Sequence, residues 1–165
     1  MPMHKNVQTL HRFYEAFTKL DSDTMASCYA ENATFNDPAF NLNGKHQIAG
    51  MWEMLCSATK EHGMAHWNLE YRDLKADAQH GSAHWEANYL FSATGKLVHN
   101  IIDGKFAFTP DGLIASHHDH FSFWRWSRQA LGAPGLFLGW TPLLKKVVQK
   151  QAGSGLEKFM AKRKK

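Results

Sequence analysis

The sequence AHWEANYLF at residues 83–91 alternates apolar and polar side chains, and this period of two decides the fold class. It places Trp85, Tyr89 and Phe91 on one face of a half-buried strand. The same period recurs in three further segments, residues 65–72, 97–108 and 113–124. Short turns separate the four segments, so they predict a curved antiparallel meander.

Upstream of these strands the apolar spacing changes to three and four, which is typical of amphipathic helices. It predicts one helix over residues 5–19, a short second helix through residues 25–29 and a third over residues 46–59. Residues 33–38 are predicted to form a short strand, and residues 41–44 a turn. We therefore expect an α+β fold in which three N-terminal helices pack on one sheet face, and a homodimer through the outer face.

Composition and length favour one globular domain, residues 1–130, followed by an extension, residues 131–165. The net charge of +4 is unevenly distributed, because residues from 141 onward carry eight bases and one acid. The basic balance therefore belongs to the extension and not to the domain. Its apolar start is followed by a basic amphipathic helix, predicted to end near Gln151 before a glycine break and one more short helix. Such a segment suits contact with an anionic membrane surface, a lid or a subunit cover. The lid or subunit cover is favoured, because only residues 162–165 carry a dense basic run.

Several classes of protein are disfavoured by what the sequence lacks. It has no GxGxxG motif, P-loop, GxSxG elbow or zinc-finger spacing, so we expect no nucleic-acid partner and no cofactor. No apolar stretch is long enough to span a membrane and the start has no secretion signal, so a cytoplasmic location is expected. Cys28 and Cys56 are interpreted as buried, reduced thiols.

Two short motifs resemble known families. The segment ENATFNDP at residues 31–38 resembles the DDATVEDP stretch of ketosteroid isomerases, and DGLIASHHD at residues 111–119 resembles the DGKIVEHWD ending of SnoaL-type cyclases. The resemblance covers roughly residues 5–132 and implies the cone-shaped fold of nuclear transport factor 2-like proteins. It also implies that Asp37 and Asp119 match the catalytic aspartates of the two families.

The sequence departs from the isomerase pattern at two positions. The isomerase tyrosine that binds the developing oxyanion is matched by Phe13, and Tyr14 lies about 100° further around the helix. The protonated aspartate is matched by Gly104, whereas Asp103 is expected on the opposite face of the sheet. These departures argue against steroid isomerisation through that oxyanion hole.

Asp119 is the first candidate catalytic residue, because period two places it among aromatic side chains on one face of the last predicted strand. A carboxylate facing an apolar cavity acquires a raised pKa that suits proton transfer near neutral pH. Asp37 is the second candidate, on the opposite wall. The alternatives are that Asp119 pairs with His117 or with an arginine as a satisfied core group and that Asp37 only caps local amides.

A pocket for a small apolar molecule would be lined by aromatic and polar side chains that the same patterns place inward. The candidate substrate-binding residues are Tyr14, Trp52, Trp85, Phe106, His117 and Phe121. His118 and His120 are expected on the outer face, and no metal site is predicted.

The leading hypothesis is a cofactor-independent enzyme that isomerises, cyclises or hydrates a small apolar carbonyl or ring compound by aspartate acid–base catalysis. The competing hypothesis is a non-catalytic carrier or interaction module of the same fold.

Overall fold

The computed structural model describes residues 2–163. The helices are α1 (Lys5–Thr18), α2 (Ser22–Ser27), α3 (Lys45–His62), α4 (Phe123–Ala130), α5 (Ala133–Leu138) and α6 (Pro142–Arg163), with a 3-10 turn at Met64–His66. The strands are β1 (Tyr29–Asn36), β2 (Asn41–Asn43), β3 (Asn68–Ala76), β4 (His80–Phe91), β5 (Lys96–Phe108) and β6 (Ile114–His120).

The six strands form one sheet in the order β2-β1-β6-β5-β4-β3. The predicted antiparallel meander is confirmed for β3 to β6, which pair in sequence. The sheet as a whole is mixed, because β1 pairs parallel to β6 and aligns Phe35 with His117. No local pattern of the sequence predicts this parallel pairing of the first and last strands. It places β1 directly beside His117 of β6.

The N-terminal predictions hold for α1 and α3, but two neighbouring elements differ. The apolar spacing predicts Tyr29 in the second helix, whereas Tyr29 begins β1 and pairs with Ile114. The predicted turn at residues 41–44 contains strand β2, paired with the end of β1. In both places pairing with a distant or adjacent strand overrides the local helix and turn signals.

The last predicted strand, residues 113–124, is too long, because β6 ends at His120 and α4 begins at Phe123. Ser122 accepts a hydrogen bond from the Arg125 amide at 3.2 Å and caps the new helix. Phe121 and Phe123 therefore do not continue the strand face of Asp119.

Helices α1, α2 and α3 pack on one face of the sheet around a core of large apolar residues. Its fully buried members include Leu10, Phe13, Phe35, Ile48, Met51 and Ile102. Cys28 and Cys56 are buried and unpaired, as predicted.

The extension is more helical than the sequence indicates. Its apolar start contains α5, and the predicted break at residues 153–155 is absent because α6 runs unbroken to Arg163. Leu156 is 4% exposed and belongs to the main core, and Arg163 pairs with Glu53 of α3 at 2.9 Å. Tertiary packing on both sides of the glycines keeps them in the helix, against an intrinsic preference of about 1 kcal/mol per glycine.

Candidate active site

Two polar side chains of β6 point into the core and contact each other. His117 and Asp119 are 1% and 2% exposed, and the His117 Nε2 lies 2.9 Å from Asp119 Oδ1. This pairing is one of the two alternatives that the sequence leaves open for Asp119. A buried carboxylate needs such partners, since an unpaired buried charge is strongly unfavourable.

A chain of hydrogen bonds continues from His117 across β1 to α3. The Tyr29 hydroxyl lies 2.7 Å from His117 Nδ1 and accepts a hydrogen bond from Trp52 Nε1 at 3.1 Å. Every group in the chain is paired when the Tyr29 hydroxyl donates to Nδ1 and Nε2 donates to Asp119. These contacts at both ring nitrogens hold the imidazole in a single orientation.

The other side of Asp119 is set by β4 and β5. Trp85 Nε1 donates to Asp119 Oδ1 at 3.4 Å, and Gly104 is the direct partner of Asp119 on β5. A Cβ on Gly104 would lie 3.0 Å from Asp119 Oδ1, so a side chain here would crowd the carboxylate. Asp103 lies on the outer face, as predicted, and pairs there with His84 at 2.8 Å.

Aromatic rings surround His117 on all sides. The ring centroids of Phe106, Phe35, Phe13 and Trp52 lie 4.3, 4.9, 5.7 and 6.4 Å from that of His117. Among the predicted pocket residues, Trp52, Trp85, Phe106 and His117 are thus brought together with Asp119. Phe121 lies one residue beyond the end of β6, is half-buried, and packs against both this core and a second apolar cluster.

Tyr14 lies beside this group on α1. Its ring is fully buried and stacks on that of Tyr71, with the two centroids 5.4 Å apart. The centroid of the Trp85 ring lies 6.3 Å from that of Tyr14. Its hydroxyl has no hydrogen-bond partner among the described residues. Burial raises the pKa of Tyr14 well above its usual value, and the Asp119 carboxylate raises it further. The hydroxyl therefore stays protonated, as a buried donor without an acceptor.

Asp37 lies in the loop after β1. Its Oδ1 accepts hydrogen bonds from the amides of Ala39 and Phe40, each at 2.7 Å, which agrees with the alternative predicted for it. Its Oδ2 accepts none from the described residues. Although the residue keeps some exposure, burial of the carboxyl group raises its pKa to about 7, and the two amides only partly oppose this.

The surroundings of Asp37 come from the sheet and from the C-terminal helices. Burial is the main cause that raises the pKa of Tyr89, and the nearby Asp37 carboxylate raises it further. The Tyr89 hydroxyl accepts a hydrogen bond from Trp126 Nε1 at 2.8 Å. Trp126 belongs to a second apolar cluster with Val98, Ala130 and Val148, against which Phe121 and Ala39 pack. Gln149 of α6 donates to the Pro38 carbonyl at 3.1 Å. The extension thus covers the Asp37 loop.

The surface of residues 2–163 includes concavities of about 380 and 580 Å³. The first lies where β4 and β5 meet α4 and the second along α6, and neither is lined by Asp37 or Asp119. A pocket at Asp119 remains a prediction. Within residues 2–163, no three His, Cys, Asp or Glu side chains are grouped as metal ligands.

The outer sheet face carries a connected set of charges. Glu86 contacts Arg72, His84 and His99 at 3.2, 3.4 and 3.0 Å. His118 and His120 are exposed on this face, as predicted. The homodimer through it remains a prediction.

Residues 10–128, which run from α1 into α4, match the family described as the SnoaL-like domain. The chain belongs to this family. No curated protein sequence matches the chain. The match to the SnoaL-like domain includes Tyr14, Asp37 and Asp119, and ends within α4.

Solved structures share the architecture of this SnoaL-like domain at low sequence identity. An LEH-like epoxide hydrolase of M. tuberculosis has 16% identity and a TM-score of 0.61, over 81% of this chain and 92% of that one. An NTF2-like protein of unknown function from Burkholderia pseudomallei has 16% identity and a TM-score of 0.62, over 78% of this chain and 98% of that one. SalBIII is an epoxide hydrolase/cyclase-like enzyme studied in pyran ring formation for salinomycin. It has 19% identity and a TM-score of 0.60, over 71% of this chain and 90% of that one. At these identities the likeness shows a common fold.

Sequence patterns do not indicate the part that Tyr29 and Tyr89 play in this SnoaL-like domain. They predict Tyr29 in a helix, and Tyr89 only as apolar bulk on a strand. The available signal is chemical, since the hydroxyl of a buried tyrosine usually finds a partner. Their inward positions next to predicted carboxylates could have marked both.

Proposed function

We propose that this SnoaL-like domain is a cofactor-independent acid–base enzyme acting on a small, largely apolar carbonyl or ring compound. The reaction would be an isomerisation, cyclisation or hydration in which Asp37 exchanges a proton with the substrate. Asp119 would act as the second carboxylate.

The observation that carries this proposal is the state of the Asp37 carboxyl group. Its Oδ1 is held by two backbone amides, its Oδ2 takes no hydrogen bond from the described residues, and burial raises its pKa to about 7. A group with this pKa is present in both protonation states near neutral pH, which is the optimum for general acid–base catalysis. The fixed oxygen orients the free one.

Asp119 and Tyr14 supply what a polar substrate group would need. The Asp119 carboxyl group is held in place by His117 and Trp85. The Tyr14 hydroxyl is an unused donor, suited to a carbonyl, ether or epoxide oxygen. Aromatic rings around both would bind the apolar part of the substrate.

Entry of the substrate would require movement of the extension. Gln149 and Val148 of α6 lie against the Asp37 loop and the second apolar cluster. A shift of this cover would open a path to Asp37, as lids do in many enzymes.

The similar structures support this class of reaction. One is an epoxide hydrolase and another an enzyme of pyran ring formation. Hydrolysis of an epoxide requires one proton to leave water and one to reach the ring oxygen, which two carboxyl groups in one site can provide.

The test is binding and proton exchange with a panel of hydrophobic ring ketones, lactones and epoxides. Tryptophan fluorescence would follow affinity against pH, and NMR in deuterated water would follow exchange or ring opening. We expect Asp37→Asn to lose at least about a hundredfold in rate while still binding ligand. Asp103→Asn, on the outer face, is the control and should behave as the wild type. Binding without any turnover by the wild type would contradict the catalytic proposal.

The second candidate is a non-catalytic carrier of the same fold. It is favoured by the close packing of aromatic rings around a fully paired His117, which resembles a satisfied core. In that case Asp37→Asn and wild type would bind the same ligands with the same pH dependence.

A further inference from the structure

The exposed apolar side chains of the protein are concentrated on the extension. Of the eleven large apolar residues exposed among residues 2–163, seven lie between positions 124 and 147. Six of them form what we call the α5–α6 patch: Leu136, Phe137, Leu138, Trp140, Leu143 and Val147. The seventh, Trp124, is joined to it through a hydrogen bond from its Nε1 to the Leu136 carbonyl at 3.1 Å.

Helix α5 presents its large apolar side chains to the surface and its glycines to the interior, which is the reverse of an ordinary surface helix. Its buried positions are Gly135 and the following Gly139, while Phe137 and Trp140 are 69% and 74% exposed. A Cβ on Gly135 would lie 1.9 Å from the Ser127 carbonyl oxygen, so only glycine permits this approach to α4. The large side chains are therefore held outward by a close backbone contact on the inner side.

The carbonyl groups at the end of α5 are all paired. The last carbonyls of a helix ordinarily rely on water. Here the oxygens of residues 135 to 138 accept in turn from Gly139 N, Trp124 Nε1, Trp140 Nε1 and Thr141 N, at 2.9 to 3.1 Å. This segment can leave water without leaving these polar groups unpaired, which is the condition for entering an apolar phase.

The charged residues of the chain segment that carries the patch have one sign. Residues 121–156 contain five bases, Arg125, Arg128, Lys145, Lys146 and Lys150, and no Asp or Glu. None of the five is ion-paired in the described part of the chain, and Arg128 stacks on Trp124 at 4.6 Å. Exposed tryptophan and leucine beside unpaired lysine and arginine is the composition of a surface that lies in an anionic lipid interface.

We propose that the α5–α6 patch docks on the surface of an anionic lipid bilayer, with Phe137 and Trp140 inserted among the headgroups. No helix among the described residues combines the length and apolarity that crossing a membrane requires, so the contact is at the surface. A second copy of the chain fits less well, because a two-fold interface would place the same unpaired bases against each other.

The experiment is flotation of the full chain with vesicles of phosphatidylcholine containing about one third phosphatidylglycerol, and with phosphatidylcholine alone. We expect binding to the anionic vesicles that falls with salt and at least about tenfold weaker binding to the neutral ones. Phe137→Ser with Trp140→Ser should weaken binding by at least about tenfold. Met64→Ser with Leu97→Ser removes two similarly exposed apolar side chains elsewhere and should leave it unchanged.

A series of charge variants separates electrostatic attraction to anionic lipid from nonspecific hydrophobic adsorption. Lys146→Glu with Lys150→Glu should weaken binding more than Lys75→Glu with Lys105→Glu, which changes net charge equally away from the patch. Sedimentation without lipid tests whether a second copy of the chain covers the patch instead. The proposal is overturned if the wild type does not float with anionic vesicles or if the Phe137/Trp140 variant floats equally well. It is also overturned if that variant dissociates a lipid-free dimer, since the patch would then be a subunit interface.

Discussion

Asp37 and Asp77 form the same hydrogen-bonded turn, yet their pKa values move in opposite directions. Each Oδ1 accepts from the amides two and three residues later, at 2.7 Å for Asp37 and 2.8 Å for Asp77. The backbone amide of each aspartate donates to the carbonyl three residues on. The amides hold the pKa of exposed Asp77 below its usual value, whereas burial raises that of Asp37 to about 7. The turn supplies position, and burial supplies the chemistry.

Asp37 should therefore make stability depend on pH in a window that Asp77 does not affect. With a folded pKa of about 7 against an ordinary value near 4, the folded state binds more protons, so stability falls as pH rises through this window. In Asp37→Asn this fall should be smaller by up to about 4 kcal/mol, measured by urea unfolding from about pH 4 to pH 8. Asp77→Asn should keep the wild-type slope, and an unchanged slope in Asp37→Asn would show that the carboxyl is not buried in solution.

The buried His117–Asp119 pair should matter far more to stability than the exposed His84–Asp103 pair of nearly equal length. Asp119→Ala leaves a buried imidazole N–H and the Trp85 N–H without an acceptor, and should lower the unfolding free energy by about 3 kcal/mol. Asp103→Ala should change it by less than about 1 kcal/mol. Thermal and urea unfolding at neutral pH would measure both.

The two buried tyrosines should respond differently to loss of their hydroxyls. Tyr29→Phe removes the partner of both Trp52 Nε1 and His117 Nδ1, and should be destabilising by about 2 kcal/mol. Tyr14→Phe removes a hydroxyl without a partner and should be neutral, or stabilising by up to about 1 kcal/mol. If Tyr14 donates to a ligand, the same substitution should weaken ligand binding about tenfold. Equal destabilisation by the two substitutions would contradict the assigned hydrogen bonds.

Glycines of the extension divide by the space around them. Gly153 and Gly155 lie in α6, and apart from their chain neighbours and the backbone of that helix no described atom lies within 4 Å of the place that a Cβ would occupy on either. Alanine at either position should therefore raise stability by about 0.5 to 1 kcal/mol. Gly135→Ala should lower it, because the methyl group would overlap the Ser127 carbonyl. Thermal unfolding of the three variants measures the difference.

The sequence predicted those parts of the fold that depend on local periodicity. Helices α1 and α3 and the meander of β3 to β6 follow from spacings within each segment. The parallel neighbour of β6 could not be predicted, because Tyr29 and Ile114 share no local pattern. For the same reason the unbroken α6 was missed, since the buried contact of Leu156 with the core outweighs two glycines.

The sequence predicts Asp37 and Asp119 as candidate catalytic residues because short motifs carry their resemblance to known families. It does not predict the environments of the two side chains. The chain of hydrogen bonds through Tyr29 and Trp52 joins three elements, and the raised pKa of Asp37 depends on burial to which the distant extension contributes. Such properties arise from the packed structure and leave no trace in residue spacing.

The parallel pairing of β1 with β6 also sets an order of events during synthesis. Tyr29 leaves the ribosome long before His117, 88 positions later, to which its hydroxyl is bonded. Until β6 is made, the first strand has no central neighbour and the apolar faces of α1 and α3 lack half of their cover. Contacts this distant in sequence close slowly and leave the nascent chain exposed to association. A chain that ends before β6 would therefore leave Tyr29 and these helical faces without their partners, and we expect such a product to aggregate or be degraded.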